Sequence, residues 1–204
     1  MKRPLVRTVR KFQGRIFPMR AFISVNLDEP LRGSIEKIQK ILIPAAPGIR
    51  WTQAENCHLT LKFLGEIPVE SIPKLEAGLK PVGERLKPFT IELGGAGQFP
   101  PRGPLSVLWI GCRQGEASLN ALEKHIREAL EAAETGFDRK PFSAHLTIGR
   151  SPRNEKVFFK NPEKYQDLVL GTLRVESFSL MESVLQPSGP VYLERRRFAL
   201  GGAG

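Results

Sequence analysis

The sequence predicts a mixed fold of strands and helices arranged as two similar lobes that share one cleft. Three observations lead there. The order strand, helix, strand occurs twice along the chain. Each copy contains a nearly identical tetrapeptide, His58-Leu59-Thr60-Leu61 and then His145-Leu146-Thr147-Ile148, 87 residues further on. Two of the only three histidines in 204 residues fall in this frame. Elsewhere the halves share little sequence, so the duplication rests mainly on the motifs.

The elements follow in order. Ala21–Leu27 is largely apolar and reads as a strand. Pro30 opens a helix whose Leu31, Ile35, Ile38 and Leu42 recur at helical spacing, and Pro44 and Pro47 end it. Ile49–Thr52 and His58–Leu64 read as strands, with Gly65 closing the second. Val69–Leu79 has helical periodicity around Leu75 and Leu79, with Pro73 either in its first turn or kinking it. Phe89–Leu93 reads as a strand that gives way to a glycine- and proline-rich loop, Gly94–Pro104, a candidate substrate rim. In the second half Leu105–Ile110 is strand-like. Ser118–Glu134 carries a helical stripe of Leu119, Leu122, Ile126 and Leu130, and Gly136 stops it. Ala144–Ile148 is the second motif strand and Val157–Phe159 a short one. Thr172–Val184 and Val191–Leu200 close the chain as long strands, joined through Pro187-Ser188-Gly189-Pro190.

Composition narrows the class. Hydrophobic residues at 41% and charged residues at 25% suit a globular domain able to bury a core. No apolar run has the length of a membrane span. Two cysteines, Cys57 and Cys112, make no disulfide framework, which points to a reducing cytoplasm. The net charge of +10 is uneven, because residues 1–18 hold six basic residues and no acidic one. Three readings of this arm stand: a grip on phosphates, a targeting segment, or an upstream start codon ahead of Met19. We expect residues 1–18 to lie outside the fold and residues 19–204 to form the working domain.

The motif carries the chemistry. Alternate residues of a strand share a face. His58 and Thr60 therefore project together while Leu59 and Leu61 anchor the core, and His145 and Thr147 repeat the arrangement. Two imidazoles supply an acid and a base near neutral pH. Two hydroxyls can bond the non-bridging oxygens of a phosphate undergoing displacement. Arg150 would add a guanidinium, but strict alternation sends it to the wrong face unless the strand ends or bulges near Gly149. Lys62 shares the face of His58, either as a site cation or as a solvated strand lysine. A zinc site is a weaker reading, since the third histidine, His125, sits on the predicted helix beside its apolar stripe. Cys57 points away from His58 and reads as a buried structural residue. Nothing in the residues decides which histidine is the acid.

Here the chain resembles a known family. Trp51-Thr52-x-x-Glu55-Asn56-x-His58-Leu59-Thr60-Leu61-x-Phe63-Leu64-Gly65 is similar to the first signature of the RNA 2',3'-cyclic phosphodiesterases, once named 2'-5' RNA ligases, within the two-histidine phosphoesterases. Pro141-Phe142-x-x-His145-Leu146-Thr147-Ile148-x-Arg150 is similar to the second. Weaker similarity covers Arg20–Ile23, Phe99–Trp109 and Ser183–Tyr192. Residues 1–18 have no counterpart, and Cys57 stands where leucine is common.

The resemblance implies an α+β fold of two pseudo-symmetric lobes, with antiparallel sheets lining a central cleft and helices outside. It implies opening of a 2',3'-cyclic phosphate to a 2'-phosphomonoester without metal or other cofactor. By position, His58 is the proton donor and His145 the acceptor, and Thr60, Thr147 and Arg150 bind phosphate. The expected partner is an RNA end with a 2',3'-cyclic phosphate, tRNA fragments included, acted on by a monomer with no membrane contact. Rival readings are cleavage of 2'-5' linked oligonucleotides or small cyclic nucleotides, the reverse 2'-5' ligation, and a non-catalytic module that holds RNA ends.

Overall fold

Eleven strands and three α-helices are present among the residues described by the computed structural model, which are 11–12, 15–16, 18–187 and 189–201. The chain runs β1 (Lys11–Phe12), β2 (Arg15–Ile16), β3 (Met19–Asn26), α1 (Glu29–Leu42), β4 (Arg50–Trp51), β5 (His58–Ile67) and α2 (Ile72–Arg85). It continues through β6 (Phe89–Phe99), β7 (Val107–Gln114), α3 (Glu116–Ala132), β8 (His145–Arg150), β9 (Val169–Val175), β10 (Ser177–Gln186) and β11 (Gly189–Ala199). Among the described residues β1 and β2 pair only with each other. The expectation that residues 1–18 are separate from the fold falls mostly outside the described residues.

The other nine strands form one antiparallel sheet in the order β11-β10-β3-β5-β8-β7-β6-β9, with β4 paired to β8. Its two halves meet between β5 and β8 at a single pairing, Leu59 with Leu146. These are the second residues of the two motifs. About that point the connections repeat: β3-α1-β5 on one side matches β7-α3-β8 on the other, and each helix joins two strands that pair. The fold is α+β with a curled antiparallel sheet and peripheral helices, as expected.

The lobes are not the two halves of the sequence. The C-terminal hairpin β10-β11 returns to pair with β3. The helices also cross over. α1 joins two strands of the first lobe yet packs on β9 of the second, whereas α3 joins strands of the second lobe and packs on α2 and β5. Each lobe thus covers apolar surface of the other. Leu31, Ile35, Ile38 and Leu42 of α1 and Leu119, Leu122, Ile126 and Leu130 of α3 are all buried, as their spacing predicts. Asp28 caps α1, its carboxylate accepting from the Leu31 amide at 3.1 Å.

Several elements differ from the sequence expectation. β5 continues past Gly65 to Ile67, because β3 pairs with it along that whole length. The segment expected as a loop from Gly94 continues β6 as far as Phe99, held by β7 along its whole length, while the pairing with β9 ends at Gly94. Gly97 has a packing role there: a Cβ would collide with the Trp109 ring, which covers the strand at that point. α2 runs on through Pro81 to Arg85. The expected strand at Val157–Phe159 is reduced to one bridge, Leu105 with Val157. The expected single strand Thr172–Val184 is two strands that break at Glu176, where the chain leaves one lobe for the other.

Candidate active site

The two motifs place their histidines at the first residue of β5 and of β8, half-buried, while Leu59, Leu61, Leu146 and Ile148 are buried beneath them. Extending the Leu59–Leu146 register sets His58 across from Thr147 and Thr60 across from His145. The histidines are then diagonal neighbours, with about 7–8 Å between backbones, a span that admits a phosphate.

Both rings are held in the same way. The Nδ1–H of His58 donates to the Asn56 carbonyl at 2.8 Å, and that of His145 donates to the Ser143 carbonyl at 2.8 Å. A carbonyl only accepts, so each neutral ring carries its proton on Nδ1 and leaves Nε2 as the reactive atom. Aromatic side chains fix the ring planes. Phe22 stacks on His58 with centroids 4.7 Å apart, and Tyr192 meets it edge-on at 5.0 Å. Phe99 meets His145 edge-on at 5.0 Å. Among the described residues the hydroxyls of Thr60 and Thr147 make no hydrogen bond within the protein, so both are available to a ligand.

The motif strands also bend alike. In the ladder with β3, Thr60 faces Ser24 and Lys62 faces Ile23, so Leu61 is an extra residue. In the ladder with β7, Thr147 faces Trp109 and Gly149 faces Leu108, so Ile148 is extra. Each bulge falls on the fourth residue of its motif. A bulge re-aims the side chains beyond it. His145, Thr147 and Arg150 lie opposite Gly111, Trp109 and Val107, which alternate along β7, so all three share the cleft face. The condition for bringing Arg150 to the site is met, although the bulged residue is Ile148. Gly149 contributes by lacking a side chain, since a Cβ there would lie 2.8 Å from Ile49.

The same bend removes Lys62 from the site. Beyond Leu61 it points into the core, is only 5% exposed, and forms an ion pair with Glu123 of α3. It is neither a site cation nor a solvated lysine. Phe63 takes the cleft-face position that Arg150 occupies in the other copy and is exposed.

The electrostatics follow from this packing. Burial pushes His58 down to about 4, and the charges of Arg150 and His145 add to that, while the bond to Asn56 works in the opposite direction. His145 is lowered too, by burial and then by Arg150, against its bond to Ser143. Burial pushes the Cys57 thiol up to about 12, which suits a structural residue rather than a thiolate nucleophile. His125 lies on α3, with its Nδ1 3.5 Å from Glu128, and takes no part in the pair.

Sequence reasoning passed over Phe22, Phe99, Tyr192 and Gln39 as site residues. Gln39 of α1 donates to the carbonyls of Thr52 at 2.7 Å and of the bulged Ile148 at 3.1 Å, so it supports the bend that aims Arg150. A cavity of about 240 Å³ opens beside His58 and Tyr192. A larger concavity of about 680 Å³ lies between α1 and the β4 segment, away from the histidines.

Residues 27–185 match the family described as the 2'-5' RNA ligase superfamily. The chain belongs to that superfamily. Among its relatives in the superfamily, an Archaeoglobus fulgidus protein named RNA 2',3'-cyclic phosphodiesterase is 37% identical over 187 residues, covering 88% of this chain and 99% of the relative. A Thermus thermophilus protein of the same name is 35% identical over 196 residues, covering 90% and 91%. The fold is similar to that of a solved Thermus thermophilus structure, with a TM-score of 0.75, 29% identity, and coverage of 91% of this chain and 100% of that one. It is also similar to Escherichia coli LigT solved with 3'-AMP, with a TM-score of 0.73, 26% identity, and coverage of 90% and 98%.

Proposed function

We infer that the protein is an RNA 2',3'-cyclic phosphodiesterase that converts a terminal 2',3'-cyclic phosphate to a 2'-phosphomonoester by paired-histidine catalysis. The observation that carries this reading is the matched pair of imidazoles, each with Nδ1 tied to a backbone carbonyl and Nε2 left for proton transfer. The cyclic diester sits between them. Water attacks phosphorus as His145 Nε2 takes its proton, the bond to the 3' oxygen breaks, and His58 Nε2–H protonates that oxygen. Thr60, Thr147 and Arg150 hold the non-bridging oxygens as charge builds on them. The two imidazoles supply both proton transfers and Arg150 supplies positive charge, so the reaction requires no metal.

The assignment of His58 as acid follows the family resemblance. Burial and the Arg150 charge make His58 resist protonation, and a bound phosphate anion offsets both. Names of the relatives support the same substrate class. The free thiols of Cys57 and Cys112 suit a reducing cytoplasm, and no helix among the described residues is long and apolar enough to cross a membrane. The test is incubation of the purified protein with a short RNA bearing a 2',3'-cyclic end in the presence of a chelator. We expect ring opening. Tight binding with the ring intact would instead make the protein a module that holds RNA ends.

A further inference from the structure

One arginine on the cleft face is not used by the chemistry above. β4 pairs antiparallel with β8, placing Arg50 directly opposite Arg150 and Trp51 opposite Gly149. Residues opposite one another in such a ladder project from the same face. Arg150 shares the face of His145 and Thr147, so Arg50 does too. Both arginines are exposed.

Like charges set opposite each other on neighbouring strands destabilise the pairing. Some other surface arginines pair with carboxylates, as Arg174 does with Glu176 and Arg196 with Glu76, whereas Arg85 and Arg102 are exposed without one among the described residues but face no second arginine across a strand ladder. Among the described residues neither Arg50 nor Arg150 has an acidic partner. The Arg50 backbone is nonetheless firmly placed. The Thr52 amide donates to the Ile148 carbonyl at 3.0 Å, Gln39 donates to the Thr52 carbonyl, and Ile49 fills the space left by Gly149. A repulsive pair of guanidiniums on rigid strands is an arrangement that two anionic groups would relieve. Arg150 serves the cyclic phosphate, and its charge is the one felt at both histidines. Arg50 stands one strand further along and is open to a second phosphate.

An RNA end supplies that second phosphate. Its terminal nucleotide carries the cyclic phosphate on the ribose and is joined to the rest of the chain by a phosphodiester at its 5' oxygen. We propose that Arg50 binds this internucleotide phosphodiester, which makes it the residue that favours an RNA end over a mononucleotide cyclic phosphate. The proposal rests on the reading of the cleft given above.

The test compares two substrates with the same terminal nucleoside, a nucleoside 2',3'-cyclic phosphate and a dinucleotide ending in that cyclic phosphate. Rates are measured for the unaltered protein, Arg50→Ala, Arg50→Lys, and the charge-matched control Arg85→Ala on the exposed last turn of α2. Arg50→Ala is expected to lower kcat/KM on the dinucleotide by about tenfold, through KM and not kcat. It should leave the nucleoside cyclic phosphate unaffected. Arg50→Lys should fall between, because it keeps the charge and loses the planar fork. The salt dependence of kcat/KM on the dinucleotide should flatten by about 0.7 in log–log slope for Arg50→Ala alone. An equal effect on both substrates, or no effect on either, overturns the assignment of Arg50. If the unaltered protein turns over neither substrate, the reading of the cleft itself fails and takes the Arg50 assignment with it.

Discussion

At the scale of single residues, the proposed catalysis rests on two imidazoles tied in the same way through Nδ1 and acting in opposite senses. His58→Ala and His145→Ala should each reduce turnover by about a hundredfold or more. The double variant should lose far less than the product of the two, since the pair acts as a unit. His125→Ala should change little. The depressed histidines also set the pH response. Catalysis needs one ring protonated and one neutral, and kcat/KM reports the free protein. With His58 near 4 and His145 below its ordinary 6.5, the optimum of kcat/KM should lie on the acid side of 6.5. The optimum of kcat should lie higher, because bound phosphate favours the charged rings. Stability moves in the same window. Between pH 6.5 and about 4 the unfolded chain binds more protons than the folded one, so stability falls as pH drops through that range and is flat above it. Thermal melts from about pH 7.5 to about pH 4.5 should show this slope, and His58→Asn should make it shallower. The histidines and threonines were legible in the sequence because a repeated tetrapeptide carries its chemistry wherever it folds. Their aromatic supports were not, since Phe22, Phe99 and Tyr192 arrive from three other strands and no local spacing links them to the motifs.

At the scale of elements, the bulges at Leu61 and Ile148 decide what reaches the cleft. One bend brings Arg150 in and the other sends Lys62 into the core. Strict alternation fails for both residues, because a single extra residue reverses every later side chain. Nothing in His-Leu-Thr-Leu marks its fourth residue as the bulge; the partner strand reveals it. The buried Lys62–Glu123 pair that results ties α3 to the first motif strand. Removing one partner leaves a charge in the core, so Lys62→Met should cost about 3–5 kcal/mol in denaturant unfolding. The double variant Lys62→Met, Glu123→Leu should recover most of that loss and retain activity. A mild effect of Lys62→Met on stability with a large effect on KM would return Lys62 to the site. The positions of α1 and α3, by contrast, were readable to within a few residues from apolar spacing, as their buried stripes confirm, whereas α2 runs through Pro81 to Arg85, well past its expected end at Leu79.

At the scale of the molecule, the two lobes are joined through the sheet at one residue pair and through helices that cross beneath. The motifs foretold the pseudo-symmetry. The exchange of helices and the return of β10-β11 to the first lobe were not readable, because they rest on contacts between segments far apart in sequence. Removing the basic N-terminal arm, residues 1–18, should leave the melting temperature and turnover of a dinucleotide nearly unchanged. A large loss of either would make the arm part of the fold or of the RNA grip. In the proposed function the cleft holds a cyclic phosphate in line between His145 and His58, with the 3' oxygen leaving toward His58. Phosphorus NMR of the product formed from an RNA with a 2',3'-cyclic end, in the presence of a chelator, tests it most directly. A 2'-phosphomonoester is expected as the sole product, and a predominantly 3'-phosphomonoester would contradict that arrangement.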